Sequence, residues 1–226
     1  MVRIHLFNMV VPLALLLAAA GCTRTTGKLT SVISGDVERI PSRLAFYPLL
    51  STSIGGYKAG WPSARATLKV QRWEDNVVIV PPTETEMMVT RESETLTGLI
   101  SMELSSIGFS LQELPVRILP EDEESKKPGE LKSAFAISLN MLEQLREQYD
   151  LEAIIIGNAF FVMEVYRAAP PYVTAVSAYL KVIDIESLEI LGQVNYFSEY
   201  SGKELDDLAE DIAAVMAEMA GIKLEE

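Results

Sequence analysis

Three long apolar segments follow one another near the C-terminal end: AIIIGNAFFVMEVY (153–166), VTAVSAYLKVIDIE (173–186) and LEILGQVNYFSEY (188–200). They constrain the fold more than any other feature. Each is rich in β-branched and aromatic residues. Only RAAPPY and a tight turn through Ser187 separate them. Runs of this kind read as strands, and breaks this short join antiparallel neighbours, which predicts a three-strand meander. AIIIG is apolar on both faces and belongs near the centre of its sheet.

The upstream chain supplies the layers that such a meander needs. RLAFYPLL (43–50) is a strand candidate, and ATLKVQRW (66–73) with VVIV (77–80) around Glu74-Asp75-Asn76 reads as a hairpin stopped by Pro81-Pro82. Apolar residues at 96, 99, 100, 104 and 107 give segment 90–111 helical spacing. Gly108 suits the left-handed residue after a helix, Phe109 can pack back on Leu104, and FSLQEL (109–114) then continues as a strand. EDEESKKPGE (121–130) reads as a solvated loop. A second helix is predicted over 131–150, with Leu131, Phe135, Leu142, Leu145 and Tyr149 on one face. Ser201 and Glu204 have capping-box spacing ahead of a third helix, with Leu205, Leu208, Ile212, Val215 and Met219 inward and Gly221 at its end. The fold class is α/β of the α+β kind. A single mixed sheet ends in the antiparallel meander, and three main helices pack on it, mostly on one face.

The other end of the chain speaks to location. Arg3 precedes the apolar run VVPLALLLAAA (10–20), which ends in LAAAGC with Cys22, the only cysteine. The run has the length of a secretory h-region and falls short of the roughly 20 apolar residues of a spanning helix. Small residues ending in Gly-Cys resemble the lipobox of bacterial lipoproteins. That resemblance implies cleavage before Cys22, acylation of its thiol and stable anchoring by several acyl chains. A cleaved signal with an incidental cysteine is the plainer alternative. Residues 1–21 are therefore expected to be a signal peptide, 22–40 a small, polar tether and 41–226 one α/β domain. Thr23 after the cysteine, rather than Asp, resembles outer-membrane sorting under the enterobacterial rule.

Processing there would remove His5, the only histidine, and commit Cys22 to lipid. That excludes His-based and thiol nucleophiles, imidazole or thiolate metal sites, disulfides and haem attachment. The expectation is a non-enzyme with no cofactor and no metal. Loss of Arg3 takes the formal net charge from −13 to −14, which disfavours nucleic acid and anionic head groups as partners. With 49% hydrophobic residues, the chain can bury a real core.

Several stretches resemble one envelope-lipoprotein domain family, that of the curli-secretion channel lipoprotein (CsgG-like) and of the lipoprotein activators of penicillin-binding proteins (LpoB-like). The matches are Gly108-Phe109 after a helix, Ala153 through Gly157, and Leu180-Lys181-Val182-Ile183-Asp184 through Glu189-Ile190-Leu191, within roughly 90–220. The resemblance implies an envelope setting and the mixed fold. The channel members carry membrane-spanning hairpins within this domain. Here only about seven residues separate the 153–166 and 173–186 segments, whereas one membrane strand takes about 9–11.

Functional candidates are few. Tyr57, Trp61 and Trp73 lie in or near the Gly-rich stretch 51–63, and such aromatics serve as interface anchors. They are the candidate partner-binding residues, against local packing of a long loop. Glu164, Glu186 and Glu189 could supply a carboxylate pair for glycoside hydrolysis, although exposed strand carboxylates usually serve solubility. Lys181 reads as an outward strand residue. The leading function is a lipid-anchored, periplasm-facing accessory or assembly factor on a cell-wall synthase or secretion apparatus, acting by binding rather than catalysis. A carboxylate-dependent peptidoglycan-active enzyme and a subunit of an oligomeric export pore stand as alternatives. Expected partners are the membrane through the lipid, an envelope protein and a second copy of the chain.

Overall fold

The computed structural model describes residues 28–35, 37–52, 69–73, 75–80, 88–116, 118–119, 134–164, 172–198 and 205–224. The meander is present as β9 (Ala153–Glu164), β10 (Tyr172–Asp184) and β11 (Ile190–Ser198), paired antiparallel throughout. Ala153, Ile154, Ile155 and Ile156 are all buried, so this strand is covered on both faces. β2 (Arg43–Phe46) runs parallel to β9, and β3 (Leu50–Thr52) continues alongside it. The break between β2 and β3 falls at Tyr47-Pro48-Leu49, where proline has no N–H for the ladder and the Leu49 N–H turns to the Thr97 hydroxyl.

β6 (Ser110–Glu113) lies parallel to β2 at one edge of the sheet. The opposite edge is β1 (Lys28–Ile33), antiparallel to β11. These six residues belong to the stretch expected to be a tether. The strand lacks strict alternation, its partner lies far along the chain, and its Leu29 and Ile33 pack on the core.

Helix α1 (Arg91–Ser106) starts in a reciprocal box between Thr90 and Ser93. It ends as the sequence predicts: Gly108 has φ +104°, the Phe109 N–H donates to the Leu104 carbonyl, and the Gly108 N–H donates to that of Ser105. Helix α3 (Leu205–Ala220) ends in the same way at Gly221. The two helices cover one face of the large sheet, where Leu96, Ile100, Leu104, Leu208, Ile212 and Met216 meet Ile155, Leu180 and Val194. Ser201, Glu204 and the 121–130 loop lie outside the described residues.

The other face carries a second layer. The predicted hairpin exists as β4 (Lys69–Trp73) and β5 (Asn76–Val80), and it extends into a four-stranded sheet with β8 (Ala134–Ser138) and β7 (Ile118–Leu119). Here the helical expectation for 131–150 needs correction. Helix α2 begins only at Leu139 and ends at Tyr149, while Phe135 lies in β8, buried opposite Ile79 and Ile118. AFAIS alternates in period two, and pairing on both sides overrides the helical spacing that followed it. Leu142 of α2 joins Phe135, Ile79, Tyr47 and Phe160 in this second core, whereas Phe161 points into the first. Among the described residues, no helix is long and apolar enough to cross a membrane.

Candidate functional site

Cys22, Tyr57 and Trp61 lie outside the described residues. Trp73 is the last residue of β4, opposite Asn76 across the hairpin turn. Of the lipidation and partner-binding candidates, only Trp73 therefore falls among the described residues. What the structure does assemble is a polar strip on the face of the large sheet turned away from α1 and α3.

The strip follows from the alternation of β10. Ala178, Leu180 and Val182 enter the first core, so Ser177, Tyr179 and Lys181 stand on the opposite face. Cross-strand register sets Asn158 beside Tyr179, and on β11 it sets Asn195 beside Tyr179 and Gln193 beside Lys181. The Tyr179 hydroxyl donates to the Gln193 side-chain oxygen. The Lys181 ammonium lies 5.5 Å from the centre of the Tyr179 ring, within cation–π range. At the outer margin, β1 continues the face with Thr30 and Val32, and Val32 is 62% exposed.

Lys181 is only 8% exposed, which corrects the expectation of an outward residue. Its aliphatic stem suits a half-apolar strip, and burial pulls its pKa below the ordinary lysine value. Burial pushes the Tyr179 phenol upward for the same reason, since each charged form loses water. Asn158 is fully buried, and neither polar atom of its carboxamide has a hydrogen-bond partner. Sequence reasoning passed over Tyr179, Gln193 and Asn158. The available signal was the strict polar–apolar alternation of SAYLKV.

Of the glutamates considered for catalysis, Glu186 has another role among the described residues. Glu186 pairs with Arg146 at 3.2 Å. The Asp184 carboxylate accepts from the backbone N–H groups of Glu186 and Ser187 and from the Ser187 hydroxyl, which shapes the β10–β11 turn. An open cleft of about 590 Å³ lies between the start of β2 and the end of α3, lined by Arg39, Arg43, Glu152 and Ile222. Arg43 in it is held by Asp150 at 2.6 Å and Glu152 at 2.9 Å. Among the described residues, no group of three or more acidic, histidine or cysteine side chains could hold a metal ion.

No protein-family model matches the chain, and no curated protein matches it in sequence. Among solved structures it is similar to the PelC dodecamer from Paraburkholderia phytofirmans, at 10% identity and a TM-score of 0.45, over 88% of this chain and 100% of that one. A substituted form of that dodecamer in another crystal form gives a TM-score of 0.44 at the same identity and coverage.

Proposed function

We propose that the chain is a lipid-anchored, periplasm-facing accessory or assembly factor that acts by binding an envelope complex, a cell-wall synthase or secretion apparatus. The observation that carries this reading is LAAAGC at the end of a signal-length apolar run, followed by a chain with no histidine and no second cysteine. Outer-membrane residence is part of the proposal and rests on Thr23. Kinship with the curli-channel and penicillin-binding-protein-activator lipoproteins is part of it too. Its support is that the matched stretches fall at a helix end, a central strand and the meander turn.

Binding rather than turnover is supported by the surface. Asp184 and Glu186 at the meander turn are engaged in local structure, while half-buried Gln193 and Asn195 and the exposed Val32 edge offer hydrogen-bonding and apolar contacts together. Trp61 is the proposed aromatic anchor for the partner, with Tyr57 and Trp73 beside it in sequence.

Palmitate labelling of wild type and Cys22→Ser tests the anchor: the variant should lose the label, and unchanged labelling would sink it. Crosslinking in cells followed by mass spectrometry should recover an envelope protein, with recovery lowered by Trp61→Ala. Release of fragments from isolated cell wall by the purified protein would instead favour the carboxylate enzyme. A large ring in detergent would favour the export pore.

A further inference from the structure

We infer that β1 pairs antiparallel with β1 of a second copy of the chain, about a two-fold axis at Ser31, and so joins two large sheets into one. The contact goes beyond the envelope-binding reading and does not depend on the lipid anchor.

The ladder with β11 shows which backbone groups are available for it. The Ser34 N–H donates to the Leu191 carbonyl, so these two residues, in register with the ladder, form a hydrogen-bonded pair. Such pairs recur at every second residue of an antiparallel ladder, and Lys28, Thr30 and Val32 therefore also turn their N–H and C=O groups to β11. Leu29, Ser31 and Ile33 turn theirs outward. Among the described residues, no other element takes them up. Thr30, Ser31 and Val32 are exposed, so the middle of this edge is uncovered.

The other outer strands of the two sheets are built to resist pairing. β4 carries Lys69 and Arg72, and β7 is two residues long. β6 carries Glu113 and meets Pro115 two residues later. β1 has six residues, with no charge and no proline from Leu29 to Ser34. An open edge of that kind is a template for another strand.

The positions of the outward groups select a second copy as that strand. Residues 29, 31 and 33 are symmetric about Ser31, which lets one strand serve as both halves of an isologous contact. Ser31 then meets Ser31 of the other copy, and Leu29 meets Ile33 on both sides of the axis. Each of these pairs exchanges two backbone bonds, about six in all. Leu29 and Ile33 already pack against the core under the helices, so the pairing continues that core from one copy into the next. On the opposite face Thr30 meets Val32, two β-branched side chains suited to a pleated surface. Each copy carries a net charge of −13, which opposes association, and a neutral strand is where two such bodies can meet. The two polar strips, with Gln193 and Asn195, then lie on one continuous face.

The test uses the full chain in mild detergent, with Cys22→Ser so that an introduced cysteine is the only thiol. Residues in a hydrogen-bonded pair have Cα atoms about 5.5 Å apart, within disulfide range. Thr30 and its copy would lie diagonally at about 7–8 Å, beyond it. On oxidation with copper phenanthroline, Ser31→Cys should therefore give severalfold more linked dimer than Thr30→Cys or, on the far edge, Ser110→Cys, all three positions being exposed. Ser31→Pro removes an outward N–H and leaves the β11 ladder intact. In light scattering it should weaken the dimer about tenfold or more, while melting with wild type in dilute solution. Equal linking at 30 and 31 overturns the two-fold pairing. So does linking of Ser31→Cys only to Ser110→Cys in mixed samples, which would show a head-to-tail contact. A chain that stays monomeric up to its solubility limit, or a dimer that a folded Ser31→Pro variant leaves unchanged, overturns it as well. Should Ser31→Pro fail to fold, the comparison of positions 30, 31 and 110 decides alone.

Discussion

Gly157 and Gly192 look alike in sequence, each a lone glycine inside a strand, but the structure separates them. A Cβ on Gly157 would lie 2.5 Å from the Tyr179 carbonyl oxygen and 2.7 Å from Leu49 Cδ2. The first obstacle is backbone on the neighbouring strand, locked in the β9–β10 ladder. A Cβ on Gly192 would meet Met219 Cε at 2.5 Å and Ile40 Cγ2 at 3.0 Å. The first of these is the end of a flexible side chain. Overpacking costs about 1–3 kcal/mol, and a backbone obstacle puts Gly157→Ala at the top of that range. The reduced entropy of the unfolded chain returns about 0.5–1 kcal/mol, which leaves a net loss of about 2 kcal/mol. For a domain of this size that lowers Tm by about 4–8 °C. Gly192→Ala should cost about 1 kcal/mol before the same return and melt close to wild type. Thermal melts of both variants, followed by circular dichroism, decide the matter. If Gly192→Ala melts as early as Gly157→Ala, or Gly157→Ala melts with wild type, the close approach of β9 to β10 does not constrain this position.

Phe135→Ala should lose about 3–5 kcal/mol in urea unfolding as a buried aromatic truncation. A loss under ~1 kcal/mol would mean that the small sheet does not unfold with the large one. Asn158→Leu, close to isosteric, should raise stability by about 1 kcal/mol because it removes an unpaired buried carboxamide. A clear drop in the denaturation midpoint would show that the carboxamide is satisfied by something bound. For Lys181→Met, the informative quantity is the pH dependence. Folding lowers the Lys181 pKa, so between the folded and unfolded values the unfolded chain binds more protons and stability rises with pH. The stability of wild type relative to the variant should therefore improve from neutral toward alkaline pH, and a constant difference in denaturant melts would remove burial of the ammonium as its cause.

The meander, the ends of α1 and α3 and the tight β10–β11 turn were legible because their causes are local. Alternating β-branched residues, a glycine at φ +104° and Asp184 beside Ser187 act within a few residues of themselves. AFAIS was not legible as a strand because its support comes from β5 and β7. Nor was KLTSVI, which lacks strict alternation and whose partner β11 lies far along the chain. The polar strip was half visible. SAYLKV states that two faces differ, but how deeply Lys181 and Asn158 are buried depends on what covers each face.

The pairing of β1 with β11 also has a consequence in time. Lys28 meets Phe197 only after roughly 170 further residues have been made, and contacts of such separation form late because loop closure must precede them. A chain emerging from its N-terminal end thus carries KLTSVI as an unsatisfied edge until the meander is complete. Its first strand is the last piece of the large sheet to find a neighbour, and the edge of β11 that it covers stays open until then.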